Sequence, residues 1–120
     1  MPIKTYKELT VWQKGMELVH EVYKITKTLP TSEQFGLTSQ MQRAAVAIPS
    51  NIAEGYMRNN RKEYVQFLGI ARASAAELET QLQIAKNEYE KTNLLNAVTL
   101  DQEILKMLTV MIAKLKTPKP

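Results

Sequence analysis

The 120-residue sequence predicts an all-α fold, an antiparallel up-down-up-down four-helix bundle with a proline-kinked second helix. Three observations lead there. Apolar residues recur at spacings of three and four through four long segments, the period of a helix with one buried face. Chain breakers separate those segments: Leu29-Pro30-Thr31-Ser32, Asn59-Asn60, Thr92-Asn93 with nearby Asn96, and Thr117-Pro118-Lys119-Pro120. No stretch alternates apolar and polar residues as a half-buried strand does, and nothing repeats internally. One domain is expected over residues 1–117, with 118–120 as a disordered tail.

The first helix is expected from Thr5 to Leu29. It carries two apolar stripes: Leu9, Trp12, Met16, Val19 and Tyr23, and Val11, Gly15, Leu18, Val22, Ile25 and Leu29. One faces the bundle core; the other widens that face or offers a second buried surface. The second helix is expected from Glu33 to Met57, capped by Thr31 or Ser32, with a stripe of Leu37, Met41, Ala44, Ile48 and Ile52. Pro49 lies inside it, removing a backbone donor and crowding the carbonyl of Ala45, so a kink is expected there. Ser50 and Asn51 are short polar side chains suited to the freed groups. The third helix starts at Asn60, whose side chain and Glu63 form a capping box. Tyr64, Leu68, Ala71, Ala75, Leu78, Leu82, Ala85 and Tyr89 then follow a 4-3-4-3 spacing, the seam of a left-handed bundle. The fourth is expected from Val98 to Lys116, with Ile104, Leu108, Met111 and Leu115 as its stripe, widened by Leu100, Met107 and Val110. Lys106, Lys114 and Lys116 crowd its C-terminal half, where cations suit the helix dipole.

Composition removes several kinds of chemistry. There is no cysteine, so disulfides, thiolate metal sites and cysteine nucleophiles are excluded. His20 is the single histidine, which argues against a metal centre. No Gly-rich phosphate loop, metal motif or supported carboxylate pair occurs, so no cofactor and no catalytic residue is expected. Ser50, Asn51 and Glu54 are catalytic residue types, but no base accompanies Ser50 in the sequence. The N-terminus lacks the apolar core of a secretory signal, and no apolar run approaches a membrane span. A cytoplasmic protein is expected, with no membrane contact.

The net charge is +4, and it is unevenly spread. Arg43, Arg58, Arg61, Lys62 and Arg72 outnumber Glu54 and Glu63 between residues 43 and 72, whereas acids dominate from Glu77 to Glu103. One end is therefore expected to be positive. Arg58, Arg61 and Lys62 surround the turn between helices two and three, with Arg72 three turns on; these four are the candidate nucleic-acid contacts. Arg61 and Lys62 oppose the dipole of the helix they open. Tyr56 and Tyr64 flank them and have the chemistry to stack on bases. A solvated basic end is the plain alternative.

Hairpin geometry about Asn59-Asn60 sets Arg43 level with Glu77, predicting an ion pair within one chain or across an interface. Ser74, Glu77 and Gln81 interrupt an apolar stripe of Phe67, Ile70 and Ile84, as in a half-buried polar patch or a subunit contact. Residues 37–58 also admit a helix-turn-helix with Ile48-Pro49-Ser50 as its turn, aiming Asn51, Glu54 and Arg58 at a DNA groove. The apolar stripe running unbroken through Pro49 favours a single kinked helix.

The stretch from Arg43 to Tyr56, with Ile48-Pro49-Ser50-Asn51-Ile52-Ala53-Glu54-Gly55 inside it, and the stretch from Glu63 to Leu82 resemble the bacterial 23S rRNA intervening-sequence proteins. The opening Tyr6-Lys7-Glu8-Leu9-Thr10-Val11-Trp12-Gln13-Lys14 is similar too. Ala73 stands where such families commonly have glycine. The resemblance implies an up-down-up-down bundle, a ring-like homopentamer, and kinship with accessory proteins of diversity-generating retroelements, which bind a reverse transcriptase and nucleic acid. From the readings of the residues themselves, Arg43, Pro49, Asn51, Glu54, Ser74 and Glu77 are candidate structural or interface residues. The expected function is a non-enzymatic oligomeric scaffold that binds structured RNA or a nucleoprotein through its basic end. The alternative is a protein-interaction module without nucleic acid.

Overall fold

The computed structural model describes residues 3–117; the proposed tail at 118–120 lies outside them. Four helices follow one another: α1 (Thr10–Thr26), α2 (Leu37–Tyr56), α3 (Arg61–Glu88) and α4 (Leu95–Lys116). Each packs on the next, and α4 closes against α1. Contacts fix the antiparallel sense. Gly55 near the end of α2 meets Tyr64 and Phe67 near the start of α3. Gln42 donates to Thr26 at 3.0 Å while Gly15 faces Pro49, so α2 descends as α1 rises. Lys14 reaches Glu103 at 2.7 Å, and Asn96, earlier in α4, lies beside Glu21 further along α1. The result is a rod of 52 × 24 × 21 Å.

Helix ends depart from expectation for local reasons. Leu9 is extended (φ −70°, ψ 126°), so α1 starts at Thr10 and a separate 3-10 turn, Tyr6–Glu8, precedes it, capped by the Thr5 hydroxyl. Thr31–Glu33 forms a second 3-10 turn, and neither Thr31 nor Ser32 caps α2. Glu33 does so instead: its carboxylate accepts the Leu37 amide at 3.2 Å and the Tyr89 hydroxyl of the α3 C-cap. Those two bonds, the hydroxyl's first, hold Glu33 below the usual carboxylate range. The start of α3 is as expected, Asn60 accepting the Glu63 amide at 2.8 Å, although Glu63 returns to the Asn60 side-chain amide rather than to its backbone. α4 begins three residues early, at Leu95, because Asn96 sits in its first turn and Asn93 accepts the Leu95 amide.

The α3 seam is the core. Leu68, Ala71, Ala75, Leu78, Leu82 and Ala85 are buried, with Tyr64 and Tyr89 half-buried at its ends. In α1 the stripe Val11, Gly15, Leu18, Val22, Ile25 faces inward, while Met16 and Tyr23 of the other stripe are exposed. α2 runs unbroken from Leu37 to Tyr56 through Pro49, which replaces the helix-turn-helix reading with one continuous helix. Pro49 is buried against α1, where Gly15 leaves room for its ring. Gly55 is the tighter point. A Cβ there would stand 2.6 Å from the Cβ of Phe67, so only glycine lets α3 approach this closely. α4 is turned relative to expectation: Ala97, Asp101, Ile104, Leu108 and Ile112 face inward, and Met111 and Leu115 flank them.

Candidate nucleic-acid interface

The corner between α2 and α3 places Arg58, Arg61 and Lys62 together at one end of the rod. They are not equivalent. Arg58 is folded back, 3.2 Å from Glu54 and with its guanidinium 4.8 Å above the Phe67 ring, a cation–π geometry. Arg61 and Lys62 are exposed in the first turn of α3. Among the described residues the ion pairs are Lys14–Glu103, Lys24–Glu21 and Arg58–Glu54, so neither Arg61 nor Lys62 is engaged in one. Arg72 is half-buried, eleven residues beyond Arg61 and therefore about 16 Å along the helix. It does not join the corner.

Antiparallel packing brings further lysines to this end. The segment before α1 lies against the end of α2, where the Tyr56 hydroxyl donates to the Ile3 carbonyl at 3.1 Å. Gln13 donates to the Lys7 carbonyl at 2.9 Å, tying the 3-10 turn to α1. Lys4 and Lys7 thus stand beside the corner, both exposed. The C-terminus of α4, running antiparallel to α3, adds exposed Lys114 and Lys116. Seven bases (Lys4, Lys7, Arg58, Arg61, Lys62, Lys114, Lys116) gather against Glu8, Glu54 and Glu63, a surplus equal to the +4 net charge of the whole chain. Among the remaining described residues, eight bases stand against nine acids. Separated by most of the sequence, these lysines gave no local signal; only the topology unites them.

The tyrosines serve a different purpose from the expected one. Tyr6 meets Trp12 at 5.6 Å and Tyr56 at 6.4 Å, and Tyr56 meets Tyr64 at 6.1 Å, all edge-to-face. This chain of rings fastens the N-terminal segment over the α2–α3 corner. Burial, and then Tyr56, pushes the Tyr64 hydroxyl up from its ordinary pKa.

The candidate interface residues are dispersed. Arg43 and Glu77 are both exposed, and no ion pair joins them within the chain. Asn51 donates to the Ala47 carbonyl at 2.7 Å, one turn back, rather than to the Ala45 carbonyl opposite the proline. Glu54 holds Arg58. Ser74 is half-buried, and Gln81 is buried with its Oε1 unpartnered. Ser50 is exposed. His20 lies with Glu17 and Glu21 in an open groove between α1 and α4, and among the described residues no group of metal-ligating side chains forms. No described helix is long and apolar enough to cross a membrane.

One residue of consequence escaped the sequence reading. Asp101 is wholly buried, and neither carboxylate oxygen has a hydrogen-bond partner. Burial, reinforced by Glu79 across on α3, pushes its pKa up to about 7. Its place could have been found from spacing alone, because Ala97, Asp101, Ile104 and Leu108 continue a 4-3-4 pattern.

A crystal structure of a protein of unknown function from the S23 ribosomal protein family of Bacteroides thetaiotaomicron VPI-5482 shares this fold. Its TM-score is 0.78 at 24% identity, covering 90% of this chain and 100% of that one. No curated protein matches the chain. The model of the 23S rRNA-intervening sequence protein family matches residues 7–110, nearly the full length, and the chain belongs to that family.

Proposed function

We propose that this protein is a non-enzymatic, self-assembling helical scaffold that binds nucleic acid, as structured RNA or a nucleoprotein, through its basic end. The observation that carries the reading is the concentration of positive charge at one end of the rod, seven bases against three acids, while the other described residues hold eight bases against nine acids. Such an end attracts a polyanion and is sensitive to salt. Self-assembly is supported by apolar side chains turned outward on all four helices: Met16, Val46, Ile70, Ile84 and Val110 are each at least 40% exposed. A closed ring, a pentamer by family resemblance, would present several copies of a weak site to one ligand and raise its effective concentration.

The test is fluorescence anisotropy of nuclease-treated protein with a structured RNA across a salt series, with mass by light scattering in the same preparation. Reversing Arg61 and Lys62 to Glu should abolish binding and leave the mass unchanged. Unchanged binding would remove the basic end from the account. A second reading, a protein-interaction module, is favoured by the α1–α4 groove, where Met16 and Leu95 are 46% and 71% exposed. It expects a protein partner whose binding is insensitive to salt and to these reversals.

A further inference from the structure

We propose that the basic end grips the phosphate backbone of a double-helical nucleic acid with bases from three chain segments, and does not stack on nucleobases. The inference rests on the functional reading above and specifies its ligand. Stacking needs free aromatic faces. Here Tyr6, Tyr56 and Tyr64 are half-buried and meet one another edge-to-face with interplanar angles of 69° and 89°. The Tyr56 hydroxyl is bonded to Ile3, and the ring of Phe67 is covered by Arg58. Exposing these faces would release the N-terminal segment and with it Lys4 and Lys7.

Groove reading is disfavoured as well. It requires a projecting helix or ribbon, whereas α2 and α3 meet in a blunt turn between Tyr56 and Arg61. What remains is positive charge on three separate supports: Lys4 and Lys7 before α1, Arg61 and Lys62 at the corner, and Lys114 and Lys116 at the end of α4. The end measures up to 24 × 21 Å across. A duplex lying over 24 Å carries about 14 phosphates, twice the number on a single strand, and holds them in place. Charges carried on supports fixed to one another suit a ligand whose phosphates are already ordered, because an unstructured strand would lose conformational freedom on being laid across them.

The experiment uses the full chain and three labelled probes of equal length: duplex RNA, single-stranded RNA, and an abasic strand that keeps the phosphates and lacks the bases. The duplex is expected to bind tightest, with the two single strands alike. Six free bases predict a logarithmic salt slope of about −5, a loss of roughly a thousandfold between 50 and 200 mM salt. Lys114→Gln with Lys116→Gln should lower that slope by about 2, although both lie more than fifty residues from the corner. Lys4→Gln with Lys7→Gln should do the same. A single strand that outbinds both the duplex and the abasic strand would overturn the phosphate mode while leaving the functional reading intact. An unchanged slope in both lysine variants would overturn the three-segment surface. Failure of every probe to bind at low salt would overturn the functional reading itself.

Discussion

Replacing Asp101 by Asn should remove a loss of stability that grows as pH rises. Asp101 is wholly buried, its oxygens lack partners, and its pKa is raised from 3.8 to about 7. In the unfolded chain the group titrates near its ordinary value. Below about pH 4 it is protonated in both states and costs little. Between there and about pH 7 the folded chain keeps the proton and the unfolded chain loses it, so stability falls as pH rises. The slope is about 1.4 kcal/mol per pH unit, and the total is on the order of 4 kcal/mol, reached by pH 8. That is a large share of the ~5–15 kcal/mol stability of a typical domain. Asn cannot ionise; its amide adds an offset that does not depend on pH. Urea denaturation of both proteins from pH 4 to 8 measures the difference in stability. It should grow with pH in favour of Asp101→Asn and level off above pH 7. Other carboxylates act alike in both proteins and cancel. A difference that stays flat, or a carbon-13 carboxyl resonance of Asp101 titrating near pH 4, would refute the reasoning.

Three more outcomes follow from contacts described above. Gly55→Ala should destabilise the bundle by about 1–3 kcal/mol in urea denaturation, because the new Cβ lies 2.6 Å from Phe67; Gly15→Ala, with its nearest contact at 3.4 Å, should be close to neutral or mildly stabilising. Asn60→Ala should cost about 1 kcal/mol and raise amide exchange in the first turn of α3, since it removes the cap on Glu63. Glu33 is held below its usual pKa by Tyr89 and Leu37, so its contribution is present at neutral pH and is lost as pH falls through the folded value. Tyr89→Phe should flatten that acid limb in thermal melts from pH 3 to 6, and an unaltered limb would show that the bond is not made in solution.

Much of this architecture was legible in the residues. The 4-3-4-3 run of α3, the Asn60 cap and the breakers at Leu29-Pro30 and Asn59-Asn60 act over a few residues, and local signals of that kind survive folding. The expected stripe of α4 left out Asp101 and Ile112, although the spacing of Asp101 placed it with Ile104 and Leu108. The choice between the two stripes of α1 was not local either; it depended on which face met Pro49 and α4.

The candidate site divides along the same line. Sequence alone determined that Arg58, Arg61 and Lys62 share a turn, because neighbours in the chain remain neighbours in space. Tertiary structure decided that Arg58 turns back to Glu54 and Phe67, that Arg72 stands away from the corner, and that Tyr56 and Tyr64 seal the N-terminal segment. It also joined Lys4, Lys7, Lys114 and Lys116 to the corner. The physical reason is that antiparallel helices return distant parts of the chain to a common end, and no pattern within any one helix records which ends will meet.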